Sequence, residues 1–291
     1  MSKITGILKI IRKKYLPLIK SLQTGLLLVT GLAGYMSARC PVLNLDTLLA
    51  LTGSLFLAIS GSTVLNMWYD RDIDSVMPRT CNRPLSTGET KPRDALIFGL
   101  ILSTVGISWA FALDLLYGLI VFAGLFFDVV IYTIWLKRRT PWSILWGGIS
   151  GGMPVLAGRV LGTGQIDWVG LALPAGILFW IPTHILTFNI RHNDDYQAAG
   201  VPTFPSRYGF HTTRIIIAFS SVLTAGALGL AAYGVGLSWG FLRLLAVLSA
   251  GLFFLAVRSL TKPSERVTFS LFKYASLYML SAMLLLFFTG F

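Results

Sequence analysis

The sequence predicts an all-α, polytopic membrane protein of about nine transmembrane helices. Of its 291 residues, 55% are hydrophobic and only 12% are charged, and the mean hydropathy is +0.73. A transmembrane helix needs about 20 predominantly apolar residues, and runs of that length recur along the chain. The alternating segments of about 10 residues that form a membrane β-barrel are absent from the sequence. The apolar runs predict helices near Leu22–Ala38, Leu43–Asn66, Ala95–Leu113, Leu115–Leu136, Trp142–Val160, Trp168–Ile190, Ile215–Tyr233, Trp239–Val257 and Ser270–Phe288.

Basic residues, which give the chain its net charge of +12, lie mostly on one side of the predicted helices. They precede the first helix and follow the second, fourth, sixth and eighth, whereas the opposite loops carry only Arg39, Arg159 and Arg243. Cytoplasmic loops of membrane proteins carry such an excess of Lys and Arg. The sequence therefore predicts a multi-pass protein of the cell membrane with a cytoplasmic N-terminus, in contact with the lipid bilayer and not with nucleic acid. The leader, basic as far as Lys20, lacks a signal-peptide cleavage site.

The cysteines and histidines indicate neither a disulfide nor a zinc site. Cys40 and Cys81 are predicted on opposite sides of the membrane, and the chain has no CxxC motif. No long linker or low-complexity tract interrupts the sequence. We therefore predict one domain over residues 1–291.

A cluster of charged residues lies at the cytoplasmic end of the second predicted helix, in the stretch NMWYDRDIDSVMPRTCNRPL. Asn66, Asp70 and Asp74 are spaced i, i+4, i+8, which places their side chains along one stripe of a helix, whereas Asp72 points elsewhere. Oxygen ligands of this kind suit Mg²⁺, which binds one or two carboxylates and leaves positions for substrate phosphates. The stripe therefore predicts a magnesium site.

Basic and aromatic side chains near this stripe are candidates for binding phosphate. Arg79 and Arg83 follow it and are themselves four residues apart, so that their guanidinium groups are able to meet phosphate oxygens. The fourth helix ends in YTIWLKRRTP, with Tyr132, Lys137 and Arg138 at the same predicted membrane face. We predict that these five residues contact the substrate.

A second acidic cluster follows the sixth predicted helix, again on the cytoplasmic side. It contains Asn189, Asn193, Asp194 and Asp195. Two acidic helix ends on one membrane face, surrounded by cations, form the environment that a metal–diphosphate site requires. Asp194 and Asp195 are therefore further candidate metal ligands.

The pattern Asn66-x₃-Asp70-x₃-Asp74, followed by Arg79 and NRPL, resembles the first signature of the UbiA superfamily of intramembrane prenyltransferases. Within that superfamily, the segments YTIWLKRRTPWSILWGGISGGMPVLAG and DDYQAAGVPTFP are most similar to the protoheme IX farnesyltransferase (haem O synthase) branch. The SRYG that follows is more similar to branches that prenylate quinone precursors and lipids. Many superfamily members carry a second Asp-x₃-Asp, which is missing here because Ile190 and Arg191 occupy the first position of each possible pair.

The resemblance implies a Mg²⁺-dependent enzyme that transfers an isoprenyl group from a prenyl diphosphate to a membrane-accessible acceptor. Asp70 and Asp74 would be the catalytic metal ligands, and the prenyl group could be farnesyl, geranyl or longer. The acceptor would be a haem vinyl group in the haem branch, or else an aromatic quinone precursor or a glycerolipid phosphate. Two alternatives are not enzymes: a secondary transporter, and a non-catalytic haem- or lipid-binding membrane protein. A transporter usually places its polar residues near the bilayer midplane, not at one face.

Two polar residues inside predicted helices belong to neither cluster. Asp128 lies in the fourth helix, and an ionisable residue within the membrane indicates a function or a hydrogen-bonded structural role, with a facing Arg or Tyr as the expected partner. His184 lies in the sixth helix and is either a haem contact or a structural residue. The sequence leaves both roles open.

Overall fold

The structure of the protein is a computed structural model that describes residues 14–39 and 44–288. Cys40 and the basic residues Lys3, Lys9, Arg12 and Lys13 lie outside these ranges, and Cys81 is a free thiol. Within the described ranges there are helices and turns but no β-strand. Nine long helices are present in these two ranges: α1 (Ser21–Met36), α2 (Leu45–Tyr69), α3 (Pro92–Leu113), α4 (Leu115–Leu136), α5 (Ser143–Thr163), α6 (Trp168–Arg191), α7 (Phe204–Val235), α8 (Trp239–Thr261) and α9 (Glu265–Phe287).

These helices confirm the predicted all-α polytopic membrane protein. In the described part of the chain, eight helices, α2 to α9, are long and apolar enough to cross a membrane, and α1 is shorter at 16 residues. Their positions match the nine predicted runs with shifts at the ends. The largest shift is at α7, which begins at Phe204, because Thr203 and Ser206 form a capping box and the helix continues through a kink at Gly209 (φ 81°, ψ 163°).

Both acidic clusters lie where a long helix gives way to a short one. The α2 helix ends at Tyr69, and Asp70 (φ −85°, ψ 4°) connects it to a first short helix, Arg71–Val76. The α6 helix ends at Arg191, and His192 connects it to a second short helix, Asn193–Ala198. Each pair of helices therefore presents its polar side chains at the end of a membrane-spanning segment.

The long helices form a ring of neighbours in chain order. Each helix packs against the next one, α9 also packs against α6 and α1, and α1 packs against α5. The contact between α1 and α5 is especially close: a methyl group at Gly34 would lie 2.0 Å from the carbonyl oxygen of Val155, and one at Gly158 would lie 1.9 Å from that of Gly31. Small residues let helix backbones approach in this way.

At the end of α1 opposite Lys20, the buried Arg159 connects α1, α5 and α6 through hydrogen bonds. Arg159 of α5 donates hydrogen bonds to the carbonyl and hydroxyl oxygens of Ser37 (2.8 and 3.0 Å) and, through Nε, to Asp167 (2.7 Å). Asp167 caps α6 by accepting from the backbone N–H of Gly170 (2.7 Å). The hydrogen bond from Arg159 lowers the pKa of Asp167 below its ordinary value. This network fixes the bundle at the end away from the acidic clusters.

Candidate active site

Asp70 is the most buried acidic residue where α2, α4 and the first short helix meet. It is 1% exposed, and its Oδ2 accepts a hydrogen bond from Nζ of Lys137, just after the end of α4. Its Oδ1 is buried and accepts no hydrogen bond within the described residues, although Nη2 of Arg138 lies 3.7 Å away. Burying a carboxylate oxygen without a hydrogen bond lowers the stability of the fold, because the desolvation of that oxygen is not compensated. This oxygen is therefore available to a cation.

Asp74 lies one helical turn beyond Asp70 on the same side, as the sequence predicted. Its backbone N–H bonds to the carbonyl oxygen of Asp70 (2.8 Å), so the helical spacing continues past the end of α2. The side chain is buried, and its Oδ2 accepts a hydrogen bond from Nη1 of Arg83 (2.5 Å). Thr80 holds the loop by donating to the backbone oxygen of Asp74 (2.9 Å). Arg83 and Asp74 therefore form a hydrogen-bonded ion pair.

Asn66 completes the stripe and is held by two neighbours. Its Nδ2 donates to Oγ1 of Thr133 on α4 (2.8 Å), and its Oδ1 accepts from Nζ of Lys20 (3.1 Å). Partial burial and the nearby cations Arg83 and Lys137 lower the pKa of Lys20 to about 8. The sequence does not single out Lys20 as a site residue, because its local pattern is the same as that of the other lysines of the basic leader.

Asp72 points away from the stripe, in agreement with the sequence analysis. Its side chain is 62% exposed and accepts two hydrogen bonds from Arg138 (2.6 and 2.7 Å). These bonds lower the pKa of Asp72. Arg138 also donates to the carbonyl oxygen of Tyr69 (3.0 Å) and lies over the Tyr69 ring. Its Nε is buried and has no hydrogen-bond partner in the described part of the chain.

The second acidic cluster meets the first through Arg79. Nη2 of Arg79 donates to the hydroxyl of Tyr196 in the second short helix (3.3 Å), and its guanidinium lies 5.0 Å from the ring centre of Phe188 on α6. Ile73 and Met77, from the first short helix and the residue that ends it, are buried together with Val201 in one apolar cluster against Tyr196. The two segments are therefore neighbours, as predicted.

The acids of the second cluster make contacts of their own. Oδ2 of Asp195 lies 3.3 Å from Nδ1 of His192, and Oδ1 of Asp194 accepts from Nδ2 of Asn193 (3.3 Å). Within residues 14–39 and 44–288, no three Asp, Glu, His or Cys side chains come together as a cation-binding group. The structure therefore brings the segments together without joining Asp194 and Asp195 to Asp70 and Asp74. Tyr132 lies on the first side, with its ring centre 5.8 Å from Nζ of Lys137.

A cavity of about 590 Å³ lies inside the bundle, between α1, α2, α4, α5, α6 and α9. Most of its lining is apolar, and its polar residues include Ser62, Asp128 and His184. The Arg or Tyr expected beside Asp128 is not its hydrogen-bond partner, which is Ser62 (Oγ to Oδ2, 2.5 Å), because α2 and α4 pack side by side at this depth. His184 is stacked between Trp180 and Phe272, at 4.6 Å from each ring.

An apolar cavity between the helices of a bundle, with a few polar and charged groups near it, is typical of small-molecule binding sites. The chain belongs to the UbiA prenyltransferase family, whose model matches residues 27–284. The protein is therefore a prenyltransferase with several membrane-spanning helices. Family membership decides against the secondary transporter and the non-catalytic binding protein.

Curated relatives indicate the branch of the family. The chain is 40% identical over 268 residues to protoheme IX farnesyltransferase of Archaeoglobus fulgidus, a match that covers 91% of this chain and 93% of that protein. It is 39% identical over 249 residues to protoheme IX farnesyltransferase of Mycolicibacterium paratuberculosis, covering 84% of this chain and 78% of the relative. The resemblance stated from the sequence motifs is confirmed.

Solved structures have the same fold. A digeranylgeranylglyceryl phosphate synthase superposes with a TM-score of 0.80 at 20% identity, covering 96% of this chain and 98% of that one. A UbiA homologue from Archaeoglobus fulgidus bound to GPP and Mg²⁺ superposes with a TM-score of 0.73 at 15% identity, covering 94% and 99%. At these identities the likeness establishes the arrangement of helices.

Proposed function

We propose that the protein transfers the farnesyl group of farnesyl diphosphate to a vinyl group of haem, with Mg²⁺ as cofactor. The observation that carries the proposal is the buried Asp70, whose Oδ1 is free of hydrogen bonds beside cations that suit a diphosphate. The names of the curated relatives support haem as the acceptor. We further propose that all nine helices form one catalytic domain.

The donor set of the site fits Mg²⁺. Asp70 offers Oδ1, Arg83 contacts only one oxygen of Asp74, and Asn66 adds an amide oxygen that now accepts from Lys20. Hard oxygen ligands of this kind, few in number and completed by substrate phosphates, are what Mg²⁺ requires. When bound, the ion would neutralise the negative charge that develops on the departing diphosphate. Asp194 and Asp195 are proposed as further ligands on the opposite side.

The remaining residues of the site act on the diphosphate and on the prenyl chain. Arg79, Arg83, Lys137 and Arg138 supply donors for the phosphate oxygens, which stabilises the charge that leaves with them. Tyr132, beside Lys137, presents a ring whose negative face stabilises a nearby cation. The apolar cavity holds the prenyl chain and keeps water from the allylic cation until the acceptor reacts.

The reaction is tested with the purified protein in lipid nanodiscs. Incubation with haem B, farnesyl diphosphate and Mg²⁺ is expected to yield haem that has gained one farnesyl group and one hydroxyl group, with release of one diphosphate and one proton, measured by mass spectrometry. Parallel incubations contain phenolic acids or glycerolipid phosphate, each with geranyl, farnesyl and geranylgeranyl diphosphate. Transfer to one of these acceptors without transfer to haem would reassign the acceptor. No transfer to any acceptor would refute the proposed function.

We propose that the N-terminus and the active site face the cytoplasm. Gln165 and Gln197 lie in exposed segments before and after α6, so one cysteine at each position reports opposite sides of the membrane. In a background with Cys40→Ser and Cys81→Ser, we expect Gln165→Cys to react with an impermeant maleimide in intact cells. Gln197→Cys should react only in inverted vesicles. The reverse pattern would place the site outside, and labelling of both from one side would contradict the membrane crossing of α6.

A further inference from the structure

Asp128 is a carboxylate that the proposed site does not use. It lies on α4, within the segment Phe126–Leu136, which is wound as a π-helix. Among the described residues that line the cavity, it carries the only carboxylate. An ionised group in an apolar cavity within the membrane costs free energy unless it has a function or is fully hydrogen-bonded.

Among the described residues, one oxygen of the Asp128 carboxylate accepts a hydrogen bond and the other does not. Oγ of Ser62, itself buried, donates to Oδ2 (2.5 Å). Among the described residues, this is the one hydrogen bond to the carboxylate, and no salt bridge to Asp128 is present there. If Asp128 only joined α2 to α4, an asparagine would make the same contact without the cost of a charge. The free oxygen indicates a chemical role.

Asp128 lies about one helical turn deeper in the bundle than the proposed diphosphate site. Ser62 is one helical turn before Asn66 on α2. Thr133 connects the two levels, because its Oγ1 accepts from Nδ2 of Asn66 (2.8 Å) and donates to the backbone oxygen of Asp128 (2.7 Å). A prenyl diphosphate with its head at Asn66 and Asp70 and its chain in the cavity would bring its reacting carbon near this level.

The proposed reaction must release one proton at this level. The bond from the allylic carbon to oxygen breaks, and its electron pair leaves with the diphosphate. The π electrons of the vinyl group form the new carbon–carbon bond, and the cation left on the acceptor takes an electron pair from the oxygen of water. That water then loses a proton. An aromatic or an alcohol acceptor also loses one proton, so a base inside the cavity is needed whichever acceptor reacts.

We propose that Asp128 is the general base of this reaction: its Oδ1 accepts the proton that the acceptor or its added water loses, while Ser62 holds the carboxylate in place. The assignment rests on the proposed prenyl transfer but not on the identity of the acceptor. Positioned general bases contribute about 10²- to 10⁴-fold to rate. The residue acts after ionisation of the diphosphate, and this order makes its role separable from that of the metal site.

The test compares Asp128→Asn with the parent protein in two assays. We expect acceptor prenylation to fall by about 10²-fold or more, since the amide cannot accept the proton. Ionisation is followed separately, by the exchange of ¹⁸O between bridging and non-bridging positions of the diphosphate, and we expect it to continue at the parental rate. Asp114→Asn, at the capping position of the same helix, is the matched control and should retain both activities, because asparagine caps a helix as well as aspartate.

Four results would overturn the assignment. Parental prenylation by Asp128→Asn would show that no proton goes to this carboxylate. Loss of both isotope exchange and prenylation in Asp128→Asn, with parental thermal stability, would place Asp128 at the ionisation step instead. If Asp128→Asn does not fold, Ser62→Ala replaces it: this variant should transfer more slowly with unchanged exchange, and parental transfer would refute the role. A parent protein that prenylates no acceptor would refute the proposed function, and the assignment with it.

Discussion

Asp70→Asn is expected to lower kcat by about 10²- to 10³-fold, the loss typical when one preorganised group that stabilises developing charge is removed. The substitution keeps the size of the side chain but removes the charge of a proposed Mg²⁺ ligand and of the partner of Lys137. Asp74→Asn should behave similarly, because it also removes the carboxylate that Arg83 contacts. Initial rates of diphosphate release, measured over a range of Mg²⁺ concentrations, check both, and the Mg²⁺ concentration for half-maximal rate should rise.

Asp72→Asn is the matched control. It also replaces an aspartate by asparagine, at a position two residues from both Asp70 and Asp74. Its side chain is 62% exposed and its hydrogen bonds go to Arg138. Exposed ion pairs contribute little, about 0–1 kcal/mol, so we expect only a small change in rate and in thermal stability. Equal losses at all three positions would mean that the segment works by its total charge. Parental turnover by Asp70→Asn would refute the proposed metal site.

Arg83→Ala is expected to weaken binding of a non-hydrolysable farnesyl diphosphate analogue by about ten- to a hundredfold. A hydrogen bond to a charged group contributes roughly 1.5–3 kcal/mol, which corresponds to that range. Arg83→Lys should recover only part of the affinity if the guanidinium binds two phosphate oxygens, because lysine offers a point charge. Calorimetric titrations with and without Mg²⁺ measure the effect, and Arg79→Ala should weaken binding in the same direction.

Arg139→Ala serves as the control for attraction to anionic lipid. Arg139 is exposed and immediately follows Lys137 and Arg138, so it shares their place at the membrane face. If the arginines of this region only anchor loops to headgroups, Arg139→Ala and Arg83→Ala should have equal, small effects that do not depend on Mg²⁺. Parental affinity in both Arg79→Ala and Arg83→Ala would show that the phosphate site lies elsewhere.

Most of the fold could be predicted from the sequence because a membrane helix must be apolar over its whole length, and the apolar runs mark it. The stripe of Asn66, Asp70 and Asp74 could be found because its spacing is local to one helix. Lys20 and Ser62 could not be found in this way. They reach the site and Asp128 from 46 and 66 positions away in the sequence, and nothing in their local pattern distinguishes them from other lysines and serines.

The early start of α7 was missed for a related reason. The segment from Phe204 to Arg214 contains polar residues, a proline and a glycine, so that its average hydropathy hides a helix. Its N-terminus depends on the side chains of Thr203 and Ser206 instead of on apolar contact with lipid. Helix caps and hydrogen bonds between distant segments are therefore the features of this fold that local sequence patterns do not predict.

The π-helical winding of Phe126–Leu136 means that the site depends on chain length as well as on residue identity. A π-helix bonds each residue to the one five positions back, as Lys137 does to Tyr132 (2.8 Å), and so accommodates one more residue than an α-helix would. Deleting a single residue here could restore regular α-helix while leaving every side chain of the site in the sequence. Everything beyond that deletion would keep its direction, because the π segment had absorbed the extra residue, whereas the same deletion in the α-helical part of α4 would turn Lys137 away from Asp70 by about 100°. Among homologues, we therefore expect the loss of one residue to be tolerated within this segment, with α-helical winding restored, and not in the α-helical part of α4.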